Sequence, residues 1–427
     1  MTARMSQPLP DFLAAAVPCA LREVSTWDAD RRIKEADECA DVIAGGADTL
    51  FATVKRGEVT GDQAREALAR GLAILAHRAE GVSFAGLTWT SEGCTGAWNM
   101  PESVLTRQAR GAYFTPRELA EEITNRALGP LTDSEPDSSD ITMFRVADIA
   151  CGSGAFLLAA TRFLADVLID AWERDDDARE EMLDVYGENL EIAARLEVLD
   201  ACIHGVDIDP LSVDLARVAL QLLAPDDGPV ALEQSIHVGD ALVGEILPGD
   251  TSATFPPGVE RFDWHREFPH VFAAHDRRAG FDAIIGNPPY LGGQKLTGTF
   301  GTPYREYLVN HIGNGRRGSA DLCAYFLIRA CDLCRGEGTV GLITTNTLWQ
   351  GATWRVAGLV GDRGWQIYAK WEQPWPTRSA AVECVLVWLH YNRWIAPDYR
   401  MRETEGKGRN TNPTLSQDPG AKENNDA

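Results

Sequence analysis

"FRVADIACGSGAFLLAATRF", Phe144 to Phe163, sets a short apolar run against a glycine-rich turn and then an apolar pattern of helical length. The run "FRVADIA" reads as a buried strand. Gly152 and Gly154 let the chain turn tightly into a helix and let its backbone approach a ligand closely. Working outward, strands are expected at "CIHGVD", "SIHVG", "FDAIIG", "GTVGLIT" and "CVLVWLHY", with helices between them in "PLSVDLARVALQLL" and "ADLCAYFLIRACDLC". That alternation predicts an α/β fold with a doubly wound parallel sheet. Ligands in such sheets sit beyond the carboxyl ends of the strands, so the residues just after each strand carry the functional reading.

Residues 1–105 read as a helical N-terminal domain, with apolar residues at three- and four-residue spacing and a plausible cap at Thr60. The sheet domain is placed at 106–400, its strands and helices alternating after the polar linker "TDSEPDSSD", and 401–427 has almost nothing to bury and is expected to be disordered. The chain has 427 residues, enough for a sizeable core. Nine scattered cysteines argue for a cytoplasmic protein without disulfides, and no apolar run is long enough to span a bilayer. Cys331 and Cys334 lack a second pair at zinc-ligand spacing, so they read as core and no metal site is expected. The net charge of −23 argues against a polyanion partner, but the acid is concentrated in "TDSEPDSSD" and "WERDDDAREEMLD". From Phe281 to Arg400, 12 Lys/Arg stand against 9 Asp/Glu, which leaves room for a mildly basic working face.

Three strand ends describe a pocket for an adenosine-bearing cofactor. At "ADIACGSGAF", Gly152 and Gly154 open the backbone. At "HGVDIDP", Asp207 can accept both ribose hydroxyls while Ile208 covers an adenine face, and Asp209 before Pro210 is the better helix cap. At "HVGDAL", Asp240 can accept from an exocyclic amine. Asp207 lies far beyond the ~20 residues of a dinucleotide fingerprint, and Phe156 follows Ala155 where a third glycine would stand, so NAD is disfavoured. The helical insertion "RDDDAREEMLDVYGENLEIAARLEVLD" accounts for the distance.

The strand "FDAIIG" runs directly into Asn287-Pro288-Pro289-Tyr290. Two prolines forbid the strand from continuing and remove two N–H groups, so the turn presents acceptors: the Asn287 side-chain carbonyl and the Pro288 backbone carbonyl. That suits a planar NH₂ group, whose delocalised lone pair is drawn toward an electrophile when its hydrogens are held. Tyr290 can stack on the ring that carries the amine.

In that order, "RGAYFTP", "DIACGSGAF", "GVDIDP", "GDAL" and "GNPPY" resemble the motifs of the gamma-class S-adenosylmethionine-dependent DNA adenine-N6 methyltransferases, over about Arg110 to Tyr391. "GSADLCAYFLIRACDLC" and "PWPTRSAAVECVLVWLHY" extend the resemblance toward the methylase part of large restriction-modification and phage-defence methylases. The resemblance implies a Rossmann-like methyltransferase sheet preceded by an α-helical domain. It implies that Thr115 contacts the methionine carboxylate of S-adenosyl-L-methionine. Asp148, Ala150, Gly152 and Gly154 would line the methionine end, Asp207 would hold the ribose and Asp240 the cofactor adenine. Asn287, Pro288 and Tyr290 would hold an adenine flipped out of DNA, with direct transfer to N6 and no metal or covalent nucleophile.

In this class a target-recognition domain follows the last core strand, so a separate recognition subunit or a truncated copy is expected here. No grouping of acids and lysine for a nuclease is found in residues 1–105. The segment "LGGQKLTGTFGTPYREYLVNHIGNGRRGS" carries Lys295, Arg305, Arg316 and Arg317; it reads either as a loop that closes on the DNA backbone or as a solvated surface loop. Seven of twelve tryptophans lie between Trp349 and Trp394, most of them core, and Trp375 is the one expected to touch the flipped base or its neighbour. Two rivals remain: a protein glutamine-N5 methyltransferase, whose substrate amide is also a planar NH₂, and a non-catalytic DNA-modification subunit.

Overall fold

The computed structural model describes residues 9–46, 61–78, 82–90, 93–96, 115–186, 189–225, 230–244, 255–272, 279–375 and 383–391. Thr60, Arg110 to Phe114 of "RGAYFTP" and the tail 401–427 lie outside these residues.

Three helices come first, Leu9–Val24, Ala29–Gly46 and Gly61–Arg78. The helical reading of the N-terminal region stops there, because Val82–Phe84 (β1), Leu87–Thr90 (β2) and Gly93–Gly96 (β3) form an antiparallel meander. The reason is local. Ala85 and Gly86 both have positive φ, 52° and 84°, which makes the two-residue hairpin turn whose twist matches the flanking strands. This region is not a separate body. Leu13, Ile43, Leu68 and Trp89 belong to the same buried cluster as Phe156, Leu164 and Leu215 from the sheet domain. The Ala85 N–H also donates to Asp214 Oδ2 at 2.9 Å.

The large sheet has seven strands in the order β6-β5-β4-β7-β8-β10-β9. They are Val146–Asp148 (β4), Ile203–Asp207 (β5), Ile236–Val238 (β6), Phe281–Gly286 (β7), Cys334–Thr345 (β8), Trp365–Pro374 (β9) and Glu383–Tyr391 (β10). β6, β5, β4, β7 and β8 are parallel, as the alternation predicts. β9 was not foreseen, and β10 runs antiparallel to both β8 and β9. Consecutive β9 and β10 form a hairpin, a connection that needs no crossover helix and therefore leaves no helical signal between them.

Strand burial follows from position. Every residue of β7, in the middle of the sheet, is buried, whereas β9 at the edge alternates between buried, partly buried and exposed. The helices Arg117–Thr132, Ala155–Arg174 and Leu190–Ala201 pack through apolar faces, and the long insertion before β5 is helical as expected, in Asp176–Tyr186 and Leu190–Ala201. The stretch "TDSEPDSSD" is ordered rather than a free linker. It closes on a short helix, Ser138–Ile141, capped by Asp137, which accepts the Asp140 N–H. Chain order reverses between β4 and β7, so the crevice between their carboxyl ends is where a doubly wound sheet binds ligands.

Candidate functional site

A cleft opens at that crevice. Its lining includes Thr115, Asp148, Ala150, Gly152, Asp207, Ile208, Asp240 and Asn287, eight residues that the sequence singled out across 173 positions from Thr115 to Asn287. Gly286, at the end of β7, has no room for a Cβ, which would lie 2.6 Å from Asp148 Oδ1. The two strand ends therefore meet only because glycine stands between the carboxylate and the Asn-Pro-Pro-Tyr turn.

Asp148 accepts the Ala150 N–H at 2.9 Å through Oδ1, while its buried Oδ2 has no hydrogen-bond partner. Burial pushes its carboxyl up to about 8, and the neighbouring Asp207 charge adds to the shift. Ala150 thus enters the site through its backbone. Asp207 accepts the Gly152 N–H at 2.9 Å and the Asp209 N–H at 2.8 Å, which ties the glycine turn to the end of β5. Gly152 adopts φ 53° with open space where a Cβ would be. Gly154 has a different job: at φ 95° it starts the helix Ala155–Arg174, and a Cβ there would press on Ala216 at 3.3 Å. It does not line the cleft. Asp209 is the residue before the helix Pro210–Gln221, in the capping position expected of it. Ile208 remains 41% exposed at the cleft, an apolar face without cover.

Asp240 accepts the Leu242 N–H at 3.0 Å and the Tyr304 hydroxyl at 3.3 Å, both on Oδ1. Its buried Oδ2 has no partner, and burial raises its carboxyl above the usual range. Two buried carboxylates therefore each keep one oxygen in reserve at the same cleft, an arrangement that costs stability unless a donor arrives.

Asn287 Nδ2 donates to Thr115 Oγ1 at 3.0 Å, and the Tyr290 hydroxyl donates to Asn287 Oδ1. Thr115, expected to face the cofactor, lines the cleft and also orients the asparagine amide. Pro289 lines the cleft, whereas Pro288 is buried behind it. Tyr290 is half-buried with its hydroxyl turned onto Asn287, and unlike Asn287 and Pro289 it does not line the cleft. Trp375 is half-buried against the main core cluster and does not line the cleft.

Sequence reading missed Ala44, Phe300, Tyr304, Leu322 and Phe326, all of which line the cleft. Phe300 and Tyr304 stack with ring centroids 4.7 Å apart, across the Gly301 break between two short helices. The segment expected to be a loop is in fact Gly293–Phe300, Thr302–Tyr307 and a π-helical turn, Leu308–Ile312. Its arginines are engaged: Arg317 pairs with Glu306 at 2.7 Å, Arg316 with Asp362 at 2.9 Å, and Arg305 donates to the Gly318 carbonyl at 2.9 Å. Ala44 carried no signal, because it arrives from the N-terminal helix whose carbonyl accepts the Ser153 hydroxyl at 2.7 Å.

Among the described residues no group of three or more potential metal ligands occurs, all nine cysteines are free, and no helix is long and apolar enough to cross a membrane.

Comparison with known proteins bears out the resemblance carried by the motifs. Residues 103–226 match the family model described as N-6 DNA Methylase, and residues 201–357 match that of the Eco57I restriction-modification methylase. The chain is 27% identical over 188 residues, 44% of its length, to the type II restriction enzyme and methyltransferase RM.Eco57I of Escherichia coli, of which this covers 18%. It is 25% identical over 270 residues, 57% of its length, to the adenine-specific methyltransferase PglX of Streptomyces coelicolor, of which this covers 20%. The aligned segments thus span about a fifth of the length of these curated relatives. Among solved structures, the type IIL restriction-modification enzyme MmeI in complex with DNA aligns over 90% of this chain and 57% of its own, at a TM-score of 0.49 and 15% identity.

Proposed function

We propose that this chain, with its N6-adenine and Eco57I-type methylase segments, is the methyl-transferring core of a restriction-modification or phage-defence DNA methyltransferase. Its substrate is N6 of an adenine flipped from duplex DNA, and its methyl donor is S-adenosyl-L-methionine. The observation that carries this reading is the placement of Asn287, its amide oriented by Thr115 and Tyr290, on the rim of a cleft holding two buried, half-satisfied carboxylates.

The residues present fit the donor. Asp148 Oδ2 lacks a donor and suits the methionine ammonium, Asp207 suits the ribose hydroxyls beside exposed Ile208, and Asp240 Oδ2 suits an exocyclic amine. When bound, the cofactor supplies a methyl group already activated on a sulfonium. The chain then has three tasks: to hold the adenine amine in line, to accept its hydrogen bonds, and to stabilise charge developing on nitrogen. Asn287 Oδ1 and the Pro288 carbonyl accept hydrogen bonds from the amine, and Tyr290, beside Asn287, offers its ring to the base. Stacking of that kind is worth ~1–3 kcal/mol per base, enough to offset much of the few kcal/mol that flipping costs.

Gripping DNA falls less to this chain. The net charge is −23, and Arg305, Arg316 and Arg317 are already hydrogen-bonded or paired. Few phosphates can be neutralised, so we assign sequence reading to a recognition module outside the residues described, in the same polypeptide or in a partner. DNA modification places the protein in the cytoplasm.

The test is transfer from methyl-labelled S-adenosyl-L-methionine to duplex DNA, with nucleoside digestion and mass spectrometry. N6-methyladenine is the expected product. Label in protein glutamine instead, with none in DNA, overturns the reading in favour of a glutamine-N5 methyltransferase.

A further inference from the structure

The Asn-Pro-Pro-Tyr turn is short of backbone anchors. Pro288 and Pro289 carry no N–H, so the backbone donors that follow them begin at Tyr290 and Leu291, and Leu291 is the one held by a side chain. That N–H donates to Asp321 Oδ1 at 3.1 Å, across thirty residues of chain. The same oxygen accepts the Cys323 N–H at 3.2 Å, at the start of the helix Leu322–Leu333. The bond is answered in the other direction, because the Leu322 N–H donates to the Leu291 carbonyl at 3.0 Å. Leu291 is thus held through both its donor and its acceptor.

The clamp is itself fixed. The Asp321 N–H donates to Thr353 Oγ1 at 3.1 Å, and Asp321 is 7% exposed. Two residues beyond Leu291, Gly293 lies so close to Ser319 that an added Cβ would sit 2.4 Å from its carbonyl carbon. Asp321 does not line the cleft, although its neighbour Leu322 does. Its hydrogen bonds run to Leu291, Cys323 and Thr353, none of which lines the cleft. A carboxylate at a helix start is stabilised by the free N–H groups there, so it holds its place without a cationic partner.

We infer that Asp321 is a positioning residue for methyl transfer: it sets the direction of Asn287 and Tyr290 by fixing the backbone that leaves the turn. This rests on the function proposed above. A misplacement of about 1 Å at the reacting centre costs on the order of 10²-fold in rate, so loss of the clamp is expected in the transfer step rather than in cofactor affinity.

Asp321→Ala and Asp321→Asn are compared with the unaltered chain, with DNA and whatever recognition module gives activity. In single-turnover transfer, Asp321→Ala is expected to fall about 10²-fold with its dissociation constant for S-adenosyl-L-methionine within about threefold. Asp321→Asn keeps an oxygen acceptor and should stay within about threefold of the unaltered rate. Amide exchange of the peptide containing Leu291 should accelerate about tenfold or more in Asp321→Ala only. Should Asp321→Ala not fold, Thr353→Val, which removes the anchor of the clamp, gives the same two readouts at smaller amplitude. Unchanged protection at Leu291 overturns the clamp whether or not the protein methylates DNA. Loss of rate and of cofactor affinity in equal measure, or no loss of rate, also overturns it. An unaltered chain that methylates nothing counts against the proposed function instead, and the exchange measurement still decides the clamp.

Discussion

β5 and β7 each carry polar residues at both ends, and the two ends are treated in opposite ways. Near their starts, Asp282 accepts the Arg145 N–H at 2.7 Å and pairs with Arg335 at 2.5 Å, while His204 bonds the Cys202 carbonyl at 3.0 Å and His270 Nε2 at 2.7 Å. At their other ends stand Asp207 and Asn287, and beside these Asp148 and Asp240 each keep one buried carboxylate oxygen, Oδ2, without a partner. The residue types differ little between the two ends. Satisfied buried polar groups specify structure, and unsatisfied ones at a crevice are reserved for a ligand.

The comparison is broken most readily at Asp282. Asp282→Ala leaves the Arg335 guanidinium without its buried carboxylate, so it should destabilise the fold by about 3–5 kcal/mol. The refolded fraction should bind S-adenosyl-L-methionine unchanged. Thermal unfolding with calorimetric titration checks both, and weakened binding in the folded protein would show that the two ends are not independent.

Next in size is Asn287→Ala, expected to lower methyl transfer by about 10²–10³-fold, the effect of removing one preorganised hydrogen-bonding group from a transition state. Cofactor affinity and melting temperature should barely move. Affinity lost together with rate would mean that Asn287 belongs to the cofactor rather than to the amine.

Asp207→Ala sharpens the contrast at intermediate size. Loss of charge-assisted hydrogen bonds to ribose should weaken cofactor binding by about 1.5–3 kcal/mol, read by calorimetry. Because Asp207 also accepts the Gly152 and Asp209 N–H groups, a modest loss of melting temperature should accompany it.

The last contrast is in pH dependence, where the two ends should have opposite signs. Asp148 has its carboxyl raised by burial to about 8, so between its unfolded value near 4 and 8 the native state keeps a proton that the unfolded chain has lost. Its contribution to ligand-free stability is therefore present below pH 4 and lost as pH rises through 8, by at most ~1.4 kcal/mol per unit. The cofactor ammonium favours the ionised form, so affinity should climb over the same window. His204 is lowered by burial to about 3, and the unfolded chain binds a proton first as pH falls below about 6.5. Its contribution is present above that value and lost toward 3. Asp148→Asn should remove the fall in melting temperature between about pH 4 and 8 and keep the rise between about 3 and 6.5 that His204 supplies. An unchanged fall between 4 and 8 in that variant would contradict the assignment.

How much of this was legible in sequence depended on whether a signal was local. The strand ends at Asp148, Asp207, Asp240 and Asn287 were readable because each is a short apolar run stopped by glycine, acid or proline, and the doubly wound sheet dictates that such stops converge. The hairpin at Ala85-Gly86 was missed because it lacks the Asn-Gly or Asp-Gly signature of its turn. β9 was missed because an edge strand need not be continuously apolar.

The sequence by itself determined the parallel part of the sheet, the residues at the carboxyl ends of its strands and the polar groups they offer, since periodicity and strand-stopping residues are properties of neighbours in the chain. Only the tertiary structure decided what each residue touches. Thr115 proved to orient Asn287, Gly154 to make room for Ala216, and Gly286 to admit Asp148. Ala44 and Tyr304 were drawn to the cleft, and Asp321 to the turn beside it, by contacts that no local pattern announces. The physical reason is that hydrogen bonds and close packing act across space at about 3 Å, between residues 30 to 170 positions apart, where a single sequence leaves no periodic trace.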